Sequence, residues 1–211
     1  MTGAAVLLLA LTLVVAAGDW HAVFHQLTSL EYLCKPLTMV VLIATAIALD
    51  VDQPAVRVWF VVALVFCLLG DVFLMLPTDK FVFGLASFLV GHLAYIVGMQ
   101  VDGVSAARLA AGAVLVLVAV VVIGRQIVGG VRRGPEPELT GPVLAYMTVI
   151  SVMVVSAIGT GHPAAILGAG SFFASDALIA WNRFLRETRH ARLAIMVTYH
   201  LAQVGLVLSL V

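Results

Sequence analysis

Two aspartates, Asp71 and Asp176, and two histidines, His92 and His200, interrupt stretches of sequence that are otherwise apolar. An ionisable side chain placed in hydrocarbon costs on the order of 3 kcal/mol or more, so it faces a protein interior or a wet cavity and marks a function. Two carboxyls in one low-dielectric site can supply an acid and an anion together, because burial and mutual repulsion separate their protonation. Such a pair titrates as a unit, which leaves open which aspartate is the acid. Asp71, Asp176, His92 and His200 are therefore the candidate catalytic set.

Further polar groups accompany them: Lys35, Ser87, Tyr95, Ser171, Ser175, Asn182, Thr198, Tyr199 and Gln203. Lys35, Ser87, Tyr95, Ser175, Asn182 and Tyr199 are the expected substrate-binding residues, with Lys35 at the mouth of the pocket. No pair of candidate ligands shares a helix at close metal-binding spacing, so no metal or other cofactor is expected. Cys34 and Cys67 fit no metal or redox spacing and are read as free thiols. Gly84, Gly91 and Gly98, seven apart, predict a close helix contact.

The elements that must position these residues follow from composition. Of the 211 residues, 63% are hydrophobic and 10% charged, against about half and about a quarter in soluble domains. The bilayer is the solvent. With 11 basic and 11 acidic residues the chain lacks the basic surface that a nucleic-acid partner requires. Apolar runs fall at roughly 2–18, 36–49, 56–76, 81–101, 106–123, 142–158, 163–181 and 192–211, most of them near the about 17 to 25 residues needed to span. The fold class expected is all-α, a polytopic membrane protein of about eight transmembrane helices. The second helix must begin before Pro36, near Ser29, which would set Glu31 and Lys35 four apart on one face. The first run lacks the basic flank of a signal peptide and is expected to be a retained helix.

Loop charges set the expected orientation. Lys35, Lys80, Arg125, Arg132, Arg133, Arg183, Arg186, Arg189 and Arg192 fall on one side, and only Arg57 and Arg108 on the other. The first side is expected to be cytoplasmic, with both termini outside and the polar residues in the cytoplasmic half of a bacterial-type inner membrane. The run from Arg183 to Arg192 serves as its anchor and could attract phosphate head groups. A single transmembrane domain over 1–211 is expected, with halves 1–124 and 141–211 joined by a hydrophilic linker, 125–140. Pro36 with Pro142, Asp71 with Asp176, and His92-Leu93-Ala94 with His200-Leu201-Ala202 recur at offsets of 106, 105 and 108. These matches predict a four-plus-four repeat with the third and seventh helices in equivalent places.

Taken together, Lys35-Pro36-Leu37-Thr38, Gly70-Asp71, the stretch with Phe81, Gly84, Ser87-Phe88, Gly91-His92 and Tyr95, then Ser175-Asp176 and Tyr199-His200 resemble the YhhN-type lysoplasmalogenase family over nearly the whole chain. The resemblance implies an eight-helix membrane enzyme that hydrolyses the vinyl ether of a lysoplasmalogen to a fatty aldehyde and a glycerophospho-ethanolamine or -choline. It nominates Lys35, Asp71, His92, Asp176 and His200 as the functional set. Its partners would be a lysophospholipid substrate and membrane lipid. Vinyl ethers hydrolyse by protonation at the β-carbon and capture of an oxocarbenium ion by water, a task suited to two unequal carboxyls. Lys35 would bind the phosphate as a point charge.

Two other classes fit some of the same residues. A metal-dependent intramembrane lipid amide or ester hydrolase would use both histidines and both aspartates as ligands. A proton-coupled small-molecule transporter would use paired intramembrane acids within a repeat. The concentration of polar groups in one half of the membrane favours the hydrolase over a carrier.

Overall fold

The computed structural model describes residues 1–211. Eight helices are long and apolar enough to cross a membrane: α1 (Gly3–His25), α2 (Thr28–Ala48), α3 (Pro54–Met75), α4 (Phe81–Asp102), α5 (Ala106–Arg133), α6 (Thr140–Thr160), α7 (Pro163–Phe184) and α8 (Ala191–Leu208). The protein is an all-α, multi-pass integral membrane protein. Helices are the required solution, since each satisfies its backbone hydrogen bonds within the segment.

Two boundaries differ from the sequence reading, and each difference matters to the site. The first apolar run stops at Gly18, but α1 continues to His25 and closes at Gln26 in the left-handed conformation (φ 57°). Asp19 and Trp20 therefore lie inside the bundle. The second helix starts at Thr28, beside the expected Ser29, and carries Pro36 within it, which leaves the Tyr32 carbonyl without its usual donor. The charged segment taken as a linker is helical through Arg133 and continuous with α5, across a π-helical stretch at Val120–Gly124. Only Gly134–Glu136 and a 3₁₀ turn at Pro137–Leu139 join α5 to α6.

Successive helices run up and down, so the ends of α1, α3, α5 and α7 share one face with the starts of α2, α4, α6 and α8. Lys80, Arg132, Arg133, Arg183, Arg186, Arg189 and Arg192 gather there, and we call it the basic face. Arg183 ties it together: its Nη2 lies 3.0 Å from Asp79 Oδ2 and 2.9 Å from Glu136 Oε2, with the guanidinium stacked over Phe81. Arg183 and the Phe81 amide hold the Asp79 carboxyl below its ordinary range. That tie is present at neutral pH and is lost only as acid takes Asp79 through its lowered value.

Packing depends on close backbone approach, as small residues in membrane helices permit. Gly84, Gly91 and Gly98 all face α3; a Cβ at Gly91 would lie 2.9 Å from Cys67 Sγ and 3.1 Å from the Ala63 carbonyl. The α7–α8 contact is tighter still. A Cβ at Gly168 would meet the Leu206 amide at 2.8 Å and the Ala202 carbonyl at 2.9 Å, backbone atoms that cannot turn aside. Gly168→Ala should cost about 1 to 3 kcal/mol of stability through overpacking, read as a lower midpoint of unfolding in detergent. Gly170→Ala, on an open face of the same helix, should leave that midpoint unchanged or raised.

Candidate active site

Each aspartate is held by two neighbouring helices. Asp71 on α3 is 2% exposed; Lys35 Nζ of α2 lies 3.3 Å from its Oδ1, and the Tyr199 hydroxyl of α8 donates to its Oδ2 at 2.5 Å. Asp176 on α7 accepts from the Tyr146 hydroxyl of α6 at 2.6 Å, and His92 Nε2 of α4 lies 3.2 Å from the same oxygen. The two carboxylates share no hydrogen bond or partner. They sit at different depths: four residues separate Asp71 from the end of α3 and eight separate Asp176 from the end of α7, about 6 and about 12 Å along the axes.

Hydrogen-bond stoichiometry fixes the histidine roles. The single Tyr146 proton goes to Asp176, so the Tyr146 oxygen, 2.9 Å from His92 Nε2, must accept. His92 therefore carries its hydrogen on Nε2, shared between Tyr146 and Asp176, and its fully buried Nδ1 has no protein partner. His200 has the reverse arrangement. Trp20 Nε1, which can only donate, lies 3.0 Å from His200 Nδ1, so the neutral ring bears its hydrogen on Nε2, again without a protein partner. His200 bonds neither aspartate. No group of three or more His, Cys, Asp or Glu side chains gathers at metal-ligand distance.

The other expected residues divide. Lys35 and Tyr199 belong to the Asp71 site. Tyr95 is fully buried and donates to Gln203 Oε1 at 2.6 Å, tying α4 to α8. Ser175 spends its hydroxyl on the Ile195 carbonyl of α8, and Thr198 bonds back to Ala194 within its own helix. Ser87 does the same to Phe83, away from both aspartates. Asn182 accepts from the Thr188 amide in the α7–α8 loop. Glu31 and Lys35 do not pair: Glu31 turns to Arg192, whose Nη2 is 2.8 Å from both its oxygens.

Three site residues escaped the sequence reading. Tyr146 lacks a charge to flag it within an apolar run, and Trp20 lay beyond the expected end of its helix. Asp19 lay there too. It is fully buried and neither of its oxygens has a hydrogen-bond partner.

Two cavities lie beside the site. An apolar one lies among α3 to α7, with Asp176 the one charged residue in its wall. A second opens at the basic face and includes Glu31, Tyr32, Lys35 and Arg192 in its lining, with Asp71 behind Lys35. Asp71 thus serves the polar side through Lys35, and Asp176 the apolar side.

This arrangement can be set beside known proteins. A family model described as the YhhN family matches residues 30–210. The chain belongs to the YhhN family. Among its relatives, this YhhN-family protein is 31% identical to lysoplasmalogenase TMEM86B of Homo sapiens, over 70% of this chain and 61% of that one. It is 33% identical to a lysoplasmalogenase of Mycobacterium tuberculosis, over 81% of this chain and 66% of that one. The chain thus spans less than two thirds of the length of either relative. No solved structure matches it. Both aspartates, both histidines, Lys35, Tyr146 and Tyr199 fall within the residues matched by the YhhN model, while Asp19 and Trp20 precede them.

The Lys35–Asp71 pair is a buried ion pair, and removing one partner strands the other. Lys35→Met alone should destabilise the protein by about 3 to 5 kcal/mol, whereas Lys35→Met with Asp71→Leu should recover most of that loss. Thermal unfolding of the two variants in detergent measures the difference.

Proposed function

We propose that the protein is a lysoplasmalogenase: a hydrolase of the vinyl ether of an alkenyl-glycerophospholipid with a single chain. The observation that carries this reading is the placement of the two carboxyls, one beside a cation in a polar cavity and one in the wall of an apolar cavity. The names of the relatives supply the reaction; the placement supports a division of labour within it.

In a vinyl ether the carbon that accepts the proton is one bond farther along the chain than the carbon that becomes cationic. The acid must therefore stand on the chain side. Asp176 is assigned that role, with no lysine or arginine at ion-pair distance, in contact with groups that need carry no charge. Its carboxyl gives the proton to the β-carbon, the ether oxygen lone pair forms the oxocarbenium ion, and Asp176 is left as the anion that stabilises it. Water adds to the cationic carbon and passes a proton to a carboxylate. The resulting hemiacetal collapses to an aldehyde and a glycerol hydroxyl.

Tyr146 and His92 position Asp176. Lys35 and Arg192 provide charge for the phosphate, and Asp71 and Tyr199 hold Lys35 in place. His200, fixed by Trp20, offers its buried Nε2–H to orient the attacking water. The excess of lysine and arginine in the loops of the basic face supports a cytoplasmic basic face with both termini outside. We also read the halves as repeats. Asp71 is bonded from α2 of its own half and α8 of the other, and Asp176 from α6 of its own half and α4 of the other.

Purified protein should release aldehyde from a lysoplasmalogen and none from its saturated ether analogue; release from neither refutes the assignment. Asp176→Asn should lower turnover by at least about a hundredfold, the usual scale for loss of a general acid. Lys35→Met, in folded protein, should raise the Michaelis constant more than it lowers turnover. A turnover-only effect would give Lys35 a part in the chemistry instead.

A further inference from the structure

The apolar and polar cavities share two wall residues, Leu74 and Ile179. These are not arbitrary positions. Leu74 lies three residues after Asp71 on α3, and Ile179 three residues after Asp176 on α7. In a helix the third residue on stands on the same side, one turn along, so each hydrophobe sits about 4.5 Å toward the basic face from its aspartate. Together they form a threshold between a cavity carrying Lys35, Glu31 and Arg192 and a cavity whose lining is hydrophobic apart from Asp176 and Gly124.

We infer that the apolar cavity is the subsite for the aliphatic chain and that Leu74 and Ile179 set the substrate's register across it. This deepens the proposed function and rests on it. A molecule with a charged head in one cavity and a hydrocarbon tail in the other has its polar-to-apolar junction at the threshold. In an alkenyl lipid that junction is the vinyl ether, which brings its β-carbon just inside the apolar cavity, on the Asp176 side. A second chain on the glycerol would have to lie among Lys35, Glu31 and Arg192, where desolvating the charges opposes it. The threshold thus selects for a lipid with one chain.

The far side of the cavity is closed by the π-helical stretch of α5. Ile123 and Gly124 line it, and a Cβ at Gly124 would come 2.5 Å from Met147 Cε on α6. Such π-segments recur at functional sites. Here the widened turn presents Gly124, whose lack of a side chain lets Met147 of α6 pack against it in the cavity wall. Ala177 and Ala180 on α7 line the opposite wall.

The test is a chain-length profile. Ala180→Phe puts a large side chain into the cavity wall, so it should lower the ratio of rates on a long and a short alkenyl chain (about sixteen and about eight carbons) by about tenfold, the burial of roughly two methylenes. Ile127→Ala, which enlarges the cavity, should move the ratio the other way. Because the readout is a ratio, partial misfolding of a variant does not imitate the effect. If wild-type protein cleaves both chains and Ala180→Phe and Ile127→Ala leave the ratio unchanged, the subsite is wrong while the proposed reaction stands. If wild-type protein cleaves neither, the proposed reaction itself has failed. Binding of the saturated ether lysophospholipid, measured by competition, should show the same dependence on chain length without any chemistry.

Discussion

A carboxylate taken into the interior of a membrane bundle must find donors there, because the bilayer offers none and an isolated buried ion costs far more than a fold can spare. α3 and α7 each carry one such group, and the neighbouring helices supply its donors. Asp71 draws Lys35 from α2 and Tyr199 from α8; Asp176 draws Tyr146 from α6 and His92 from α4. Six of the eight helices are thereby fixed around two side chains. The Tyr95–Gln203 bond between α4 and α8 locks the two helices whose residues cross from one half to the other.

The different partners give the carboxyls different chemistry. A lysine ammonium beside Asp71 makes it half of an ion pair, while Asp176 meets only a phenol and an imidazole N–H and looks into an apolar space. A reaction that needs an acid on the tail side of its substrate and a held cation on the head side can use that asymmetry directly. In the proposed reaction the asymmetry also matches the substrate, whose proton-accepting carbon lies toward the tail.

Much of this was legible in the sequence, for physical reasons. Charges are so costly in hydrocarbon that Asp71 and Asp176 stand out, and the seven-residue glycine spacing of α4 signals a close helix contact, whose partner in the structure is α3. Other features left no such mark. α1 outlasts its apolar run by seven residues, with Asp19, Ala22 and Val23 turned into the bundle and His21, Phe24 and His25 exposed. Asp19 and Trp20 lie beyond the end of that run and carry no apolar signal. Tyr146 is one aromatic among many apolar residues until Asp176 is placed beside it. Ser175 and Tyr95 are polar like a binding site but are used to join helices. Asp19 is the outstanding cost: a buried carboxyl with no bond to either oxygen, in the layer that holds Lys35.

The central claim is that the proton for the reaction resides on Asp176 and not on Asp71. Infrared spectroscopy of the protein in detergent resolves the carbonyl stretch of a protonated carboxyl from that of a carboxylate. The account predicts a protonated-carboxyl component, distinct from that of the buried Asp19, that persists in Asp71→Asn and is lost in Asp176→Asn. A band that disappears in Asp71→Asn and persists in Asp176→Asn would contradict it.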